Sequence, residues 1–296
     1  MADFRLKVFL SVAHHLSFTA ASKELYISQP AISKHIQELE SDFKVRLFER
    51  KRNRISLTNA GKLLVEHAEE LMLKYQNLEY AMHQLHGDLV GELRLGASST
   101  IAQYILPPLL AQFAKLHPKV KLSLMSGNTK EIEEAIENHD IDLGFIEGTS
   151  RRNHLKYSAF IDDELIVISS TQSIIPPIIT ASELTTLPVI LREQGSGTLD
   201  VIQVELNKHN IHIKDLYVPL YLGSTESIKL YVANSEALGI VSIRAVQDDI
   251  QHGLLRVIQI QGVEFKRELC FISLQGELSP LPSIFMDFVY QYKKKL

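Results

Sequence analysis

Residues 17–40, SFTAASKELYISQPAISKHIQELE, predict two short helices joined by a tight turn. Ser17 and Ser28 stand at the predicted helix starts, where a serine hydroxyl accepts a hydrogen bond from a first-turn N–H that has no partner inside the helix. Pro30 falls in the first turn of the second helix, where its missing N–H is not needed. The stretch therefore predicts a helix-turn-helix.

The second of these helices has an apolar side and a polar side. Ile32, Ile36 and Leu39 recur at the spacing that places side chains on one helix face, so we expect that face to be buried. The polar residues near the helix start then face outward, as they do where a helix-turn-helix enters the major groove of DNA. The predicted DNA-contacting residues here are Thr19, Ser28, Gln29, Pro30, Ser33, Lys34 and Gln37. A three-helix module that does not touch DNA is the alternative.

Four motifs stand at fixed spacing in the first fifth of the chain: FTAA at 18–21, SQPAIS at 28–33, LFER at 47–50 and LTNAG at 57–61. Together they resemble the DNA-binding domain of LysR-type transcriptional regulators. The resemblance extends over the whole chain in length and layout, more loosely after Gly91. It implies an N-terminal winged helix-turn-helix, a long linker helix that pairs two subunits, and a two-lobed α/β effector domain similar to periplasmic binding proteins.

Charge is distributed unevenly along the 296 residues, whose net charge is −4. Residues 1–61 hold 10 Lys and Arg against 6 Asp and Glu, and the remainder holds 21 against 29. A basic first fifth on an acidic body indicates that only the N-terminal part meets a polyanion, and double-stranded DNA is the expected partner. A single cysteine and the lack of an apolar run of about 18 residues predict a soluble, cytoplasmic protein.

Residues 44–54, KVRLFERKRNR, contain six cations and one acid. The apolar residues on either side of the turn predict two short strands, which the resemblance identifies as the wing of a winged helix. Arg50, Arg52 and Arg54 are expected to contact phosphates, which positions a protein on DNA without reading its sequence. A solvated charged hairpin is the alternative.

A long helix is predicted from residue 58 to about residue 87. Its apolar residues alternate in steps of four and three, which is typical of a coiled-coil seam. They are Leu64, Ala68, Leu71, Tyr75, Leu78, Met82 and Leu85. A helix that buries one stripe needs a partner, and the resemblance supplies a second subunit, in a homodimer or a dimer of dimers. Packing of the stripe on its own domain is the alternative, and RNA polymerase is left open as a further partner.

From Glu92 the pattern alternates strands and helices, which predicts an α/β fold with a mostly parallel sheet. The predicted domains are a winged helix-turn-helix over 1–58, a linker helix and hinge over 59–90, and an effector-binding domain over 91–296. Within the last, lobe I is predicted over 91–161 plus 267–296 and lobe II over 162–266.

Ligands of open α/β sheets bind beyond the carboxyl ends of the strands. Those ends carry mainly hydroxyls, glycines, amides and cations here, with Glu147 and Glu193 as the exceptions. The predicted effector-binding residues are Ser98, Ser99, Thr100, Asn128, Arg192, Ser196, Thr198 and Ser224. The resemblance matches Ser98, Thr100 and Thr198 to positions that line the cleft. Donors and helix starts favour a small anion or carboxylate as effector, and ordinary helix capping is the alternative for each residue.

No catalytic constellation, metal-ligand spacing or cofactor motif stands out, so we expect a regulator and not an enzyme. Two other readings stay open. One is a cytoplasmic small-molecule-binding protein, and the other is a two-lobed enzyme, each with an accessory DNA-binding head.

Overall fold

The computed structural model of this chain describes residues 4–51, 54–84, 89–149, 151–276 and 278–292, with the backbone alone at residues 50, 51 and 54 and at several positions of the long helix. The chain divides into two compact units, Met1–Leu89 and Val90–Leu296. Within the described ranges, no helix combines the length and the apolar character needed to cross a membrane.

The first unit consists of three short helices, a two-stranded hairpin and one long helix. In order these are α1 (Phe4–His15), α2 (Phe18–Glu24), α3 (Gln29–Phe43), β1 (Phe48–Lys51), β2 (Arg54–Leu57) and α4 (Asn59–Gln84). Ser17 Oγ accepts from the backbone N–H of Ala20 at 3.2 Å, and Ser28 Oγ accepts from that of Ala31 at 3.4 Å. Both predicted helix caps are therefore confirmed.

The core of this unit lies between α1, α2 and α3. Ile32, Ile36 and Leu39 are all buried, which confirms the predicted apolar stripe. Glu40 at the end of that stripe has a role the sequence did not suggest. Its carboxylate accepts from the backbone N–H groups of Leu47 at 2.8 Å and Phe48 at 3.4 Å, and so holds the start of the hairpin against α3.

The motif at residues 57–61 joins the hairpin to the long helix. Thr58 Oγ1 caps α4 by accepting from the N–H of Gly61 at 3.0 Å, and it donates to the Arg46 carbonyl at 2.6 Å. The backbone N–H of Thr58 donates to the Leu47 carbonyl at 3.0 Å. A Cβ at Gly61 would overlap with that same carbonyl oxygen. Glycine is therefore required where the first turn of α4 crosses the backbone of the hairpin.

The second unit alternates strands and helices. The first group is β3 (Gly91–Ser98), α5 (Ser99–Tyr104), α6 (Leu106–Leu116), β4 (Val120–Gly127), α7 (Thr129–Glu137), β5 (Leu143–Ile146) and β6 (Leu155–Ser170). The second group is β7 (Ile178–Ile179), α8 (Ala181–Leu184), β8 (Val189–Arg192), α9 (Gly197–Lys208), β9 (Tyr221–Leu222), α10 (Thr225–Ala233), β10 (Leu238–Ser242), α11 (Gln247–Gln251), β11 (Leu255–Ile260), β12 (Phe265–Leu274) and α12 (Pro280–Tyr292).

Ten strands form one mixed sheet in the order β4-β3-β5-β12-β6-β10-β8-β9, and β11 pairs with β6 and β7. Pairing is parallel where β3 lies between β4 and β5 in lobe I and where β8 lies between β10 and β9 in lobe II. The pairs of β6 with β10 and β11, and of β12 with β5, are antiparallel. The long strands β6 and β12 pair with each other antiparallel and run through both lobes. Lobe I is built on β3, β4 and β5, and lobe II on β7 to β11.

Two elements have a shape that depends on particular residues. The helical segment after Ser98 is divided at Ile105, because Pro107 and Pro108 lack the N–H groups that would continue the helix from α5. The 16-residue β6 pairs with β12 from Leu155 to Leu165, through Asp162 and Asp163, and its last residues continue into lobe II.

Each lobe has its own apolar core. In lobe I, α7 packs Ile132 and Ile136 against one face of the sheet. On the same lobe, Phe113, Phe145 and Phe285 form edge-to-face aromatic pairs that attach α6 and α12. The cores lie within the lobes, so polar side chains at the strand ends are left to meet between them.

Candidate DNA-binding face and effector site

The residues predicted to read DNA lie on the outer side of α2 and α3. Thr19, Ser28, Gln29, Lys34 and Gln37 are exposed, as is Pro30, and Ser33 is half-buried. Gln29 Nε2 donates to Ser33 Oγ at 3.2 Å, so two of these side chains are already oriented toward each other. A glutamine held in this way presents its amide to the outside of the helix.

The predicted wing is the hairpin β1–β2, in which Phe48 pairs with Leu57 and Lys51 with Arg54. Arg52 lies outside the described residues, as do the side chains of Arg50 and Arg54. Their predicted phosphate contacts therefore stay predictions.

The apolar stripe of α4 has two parts. Leu64 packs against the core of the first unit, and Ala68 is buried, so for these residues the alternative of packing on the chain's own domain holds. Farther along, Leu71, Leu78 and Met82 are each more than half exposed within the chain. Leu85, the last residue of the predicted seam, lies outside the described residues.

The predicted effector residues lie where strands end and helices begin on both sides of the cleft. Ser98 and Ser99 connect β3 to α5 in lobe I, and Arg192 and Thr198 flank the loop from β8 to α9 in lobe II. All of them, with Thr100 and Ser196, are at most 5% exposed. The structure therefore encloses this set, although all but Arg192 are serines and threonines, which are mostly exposed in proteins.

Several hydrogen bonds connect the two lobes at this set and beside it. The guanidinium of Arg192 donates from Nη1 to Ser99 Oγ at 2.7 Å. The hydroxyl oxygens of Thr100 and Thr225 lie 3.5 Å apart. The N–H of Gly197 donates to Thr129 Oγ1 at 3.2 Å, and the N–H of Lys130 donates to the Gly195 carbonyl at 3.2 Å.

Glu147, at the end of β5, lies at the centre of the site. Its side chain is 1% exposed. Ser98 Oγ donates to its carboxylate from lobe I, and Thr198 Oγ1 donates to it at 3.3 Å from lobe II. Arg267 Nη1 lies 3.5 Å from the same carboxylate and donates to Thr198 Oγ1 at 2.9 Å. Two predicted effector residues thus already share a buried acid of the protein.

Arg267 is a site residue that the sequence reasoning missed. It pairs with Asp163 across the neighbouring strands β12 and β6, with both Nε and Nη2 at 2.7 Å from Oδ2. Asp163 also accepts from Ser242 Oγ at 2.8 Å. A buried charge is tolerated only when paired in this way, and an arginine at a buried strand position was the signal available in the sequence.

Arg192 is paired with its own neighbour. Its Nε and Nη2 donate to the two carboxylate oxygens of Glu193 at 2.8 and 2.9 Å. Burial alone would raise the pKa of Glu193, but the hydrogen bond and charge of Arg192, together with a hydrogen bond from Asn128, hold that pKa below its usual value. Arg192, which was predicted from the sequence to bind an anionic effector, is therefore already neutralised by a carboxylate of the protein.

Two of the other predicted residues cap helices. Asn128 caps α7 through a capping box with Glu131, and Ser224 Oγ accepts from the N–H of Ser227 at the start of α10. Helix capping therefore explains why an asparagine and a serine stand at these two positions, without any contact to a ligand. The buried Ser196 Oγ has no hydrogen-bond partner among the described residues.

A cavity of about 830 Å³ opens beside this network, which is within the usual size of small-molecule sites. Its walls include Arg267 and Asp163 of the crossing strands, Val201 of α9 and Arg244 of the segment before α11. Gly148, directly after Glu147, lines it as well. None of the predicted effector residues is among its lining residues, and Arg267 and Asp163 connect the cavity to the network around Glu147.

Comparison with known proteins gives two family matches that span nearly the whole chain. Residues 4–62 match the bacterial regulatory helix-turn-helix protein model of the lysR family, and residues 86–293 match the LysR substrate binding domain model. The HTH-type transcriptional regulator CysL of Bacillus subtilis is 32% identical over 272 residues, which cover 90% of this chain and 89% of CysL.

Solved structures share the fold. The regulatory domain of CcmR from Synechocystis, in complex with 2-PG, is 27% identical with a TM-score of 0.63, covering 70% of this chain and 99% of that one. Full-length OxyR from Pseudomonas aeruginosa is 18% identical with a TM-score of 0.69, covering 97% of this chain and 95% of that one. The likeness therefore includes both units of the chain.

Proposed function

This chain belongs to the LysR family of transcriptional regulators, and we propose that its DNA binding is controlled by a small organic acid bound between the two lobes of its effector domain. The helix-turn-helix and the two-lobed domain are the two domains that match the family models. We also infer a cytoplasmic location, because chromosomal DNA is the target.

Base reading is assigned to the outer side of α3. Gln29 is exposed near the helix start, where a helix-turn-helix contacts base edges, and its amide matches the donor and acceptor of adenine. Ser33 and Lys34 flank it. Thr19 and Ser28, with the basic hairpin, are assigned to the DNA backbone, where contacts fix the register without reading sequence.

Pairing of subunits is assigned to the second part of the α4 stripe. Leu71, Leu78 and Met82 are large apolar side chains left exposed along one seam of a 26-residue helix. A second copy of the helix would bury them in a coiled-coil contact. The resulting homodimer places two reading helices on one DNA, and two-fold symmetry then requires half-sites about one helical turn, or a multiple, apart.

The effector site is assigned to the buried hydroxyls that meet between the lobes. Ser99 accepts from Arg192, so its own proton is available to an acid. The similar CcmR domain holds 2-PG, which supports a small polar ligand at the equivalent domain. Because the acid would contact both lobes, it favours one arrangement of them and so changes how the dimer holds DNA.

The observation that carries this proposal is the hydrogen bond between Arg192 and Ser99, which joins the lobes at the effector residues. A thermal-shift screen of the full-length chain tests it, with small carboxylates and oxyanions compared against amines and uncharged sugars at fixed pH and ionic strength. We expect acids to raise the melting temperature. Stabilisation by amines or sugars, with no acid active, would contradict the assignment.

A further inference from the structure

The hydroxyl protons of Ser98 and Thr198 are already committed to Glu147. A hydroxyl carries one proton, and both side chains donate it to this carboxylate. Thr198 Oγ1 also accepts from Arg267 Nη1 at 2.9 Å. What these two side chains can offer a ligand is lone pairs, so their hydroxyls accept hydrogen bonds and do not donate them.

The other side of the site has the opposite character. Ser99 Oγ accepts from Arg192 at 2.7 Å, and among the described residues nothing receives its proton. Thr100 and Thr225 share one hydrogen bond between two hydroxyls, which leaves one proton unused. A ligand's acid group therefore has hydroxyl donors at Ser99 and Thr100, and the hydroxyls of Ser98 and Thr198 offer it none.

The charges around the site favour the same placement of the ligand's acid group, away from Glu147. Two arginines face two buried carboxylates here: Arg267 pairs with Glu147 and Asp163, and Arg244 Nε lies 3.5 Å from Asp163, so the four charges balance and leave no net positive charge for an acid placed beside Glu147. A second carboxylate there would be buried next to a like charge, which is strongly unfavourable. A hydroxyl or ammonium group of the ligand, by contrast, would find acceptors.

We propose that Glu147 makes the effector site selective for an acid that also carries a hydrogen-bond donor, such as a hydroxy acid or an amino acid, over the plain acid of the same size. This inference rests on the proposed function, since it assumes that an acid binds between the lobes. The acid group lies toward Ser99 and Thr100, and the donor faces Ser98, Thr198 and Glu147.

Matched pairs of acids test the selectivity on the full-length chain. Acetate is compared with glycolate, propionate with lactate, and succinate with malate, by calorimetric titration and thermal shift. We expect the hydroxy acid of the best-binding pair to bind at least about tenfold more tightly, because a hydrogen bond to an ionised acceptor is gained only by that member.

The Glu147→Gln variant tests the cause. Its amide accepts from one hydroxyl and donates to the other, so one hydroxyl proton turns toward the ligand and the preference should fall to about twofold or less. The exposed Glu236 provides a matched control, and Glu236→Gln should keep the wild-type preference. If circular dichroism shows that Glu147→Gln does not fold, the matched pairs of acids on the wild-type chain still test the preference for hydroxy acids.

Equal binding of plain and hydroxy acids to the wild-type chain would overturn the role of Glu147 and leave the acid effector in place. An undiminished preference in folded Glu147→Gln would also overturn it. If no acid of any pair binds while an amine or a sugar does, the proposed function itself fails, and the inference fails with it.

Discussion

Arg192 and Ser99 meet across the cleft, with Nη1 of the guanidinium donating to the serine Oγ at 2.7 Å. The arginine comes from the end of β8 in lobe II and the serine from the start of α5 in lobe I. The guanidinium is held in place by the carboxylate of Glu193 next to it. A ligand that competes for this contact would act directly on how the lobes are joined.

Glu193 should make stability depend on pH. Its folded-state pKa is lowered, so it stabilises the fold above its unfolded-state value of about 4.5, and this contribution is lost as the pH falls through the lower folded-state value. Glu193→Gln should cost about 1–2 kcal/mol near pH 7, as expected for hydrogen bonds to a charged partner. Urea unfolding of both chains between pH 7 and pH 4 measures this. A difference that stays constant below pH 4.5 would argue against the pairing with Arg192.

Gly61 should tolerate no side chain. Gly61→Ala places a methyl group against the Leu47 carbonyl and should destabilise the first unit by about 1–3 kcal/mol, the usual cost of overpacking. Gly223 is the matched control, because a Cβ there meets nothing within 4 Å. Thermal unfolding of the two alanine variants makes the comparison, and equal melting temperatures would show that the helix start is not crowded.

Gln29 should carry sequence discrimination. On a site selected from a random DNA library, Gln29→Ala should lose about 1–3 kcal/mol of specific binding, the value of one bidentate contact to a base. The affinity for unrelated DNA should stay unchanged, because contacts to phosphates provide non-specific binding. Gel-shift titration gives both affinities. An equal loss of affinity for specific and unrelated DNA would show that Gln29 contacts the DNA backbone and does not read bases.

Leu71 should lie in the subunit contact. Leu71→Glu places a charge in the proposed seam and should dissociate the dimer, so that binding to a DNA with two half-sites collapses. Leu63 is a matched control, because it is as exposed on the same helix but lies off the seam. Sedimentation velocity at equal concentration compares Leu71→Glu with Leu63→Glu. An intact dimer in the first variant, or dissociation of both, would contradict the seam.

Local features of this fold were predictable from the sequence, and features that depend on distant pairing were not. Ser17 and Ser28 cap helices a few residues away, so their roles follow from neighbouring letters. The length of β6 depends on its pairing with β12, about a hundred residues later in the chain. The acidic residues at 162–164 interrupt the apolar pattern, so the sequence does not indicate one long strand. Glu147 has the same explanation: its partners Ser98 and Thr198 lie 49 and 51 residues away, and nothing local indicates that they would meet.

The most direct test of the acid-controlled regulator is the DNA response of a Thr198 variant. Fluorescence anisotropy measures the affinity for the selected DNA site while the most stabilising acid from the thermal screen is added. We expect the acid to change the affinity of the wild-type chain and of the control Thr186→Val, whose hydroxyl lies on the surface of lobe II. For Thr198→Val, affinity without acid should be unchanged and the acid concentration required should rise at least about tenfold, because a buried hydrogen-bonding group of the site is lost. An unchanged acid response in Thr198→Val would contradict an effector site between the lobes.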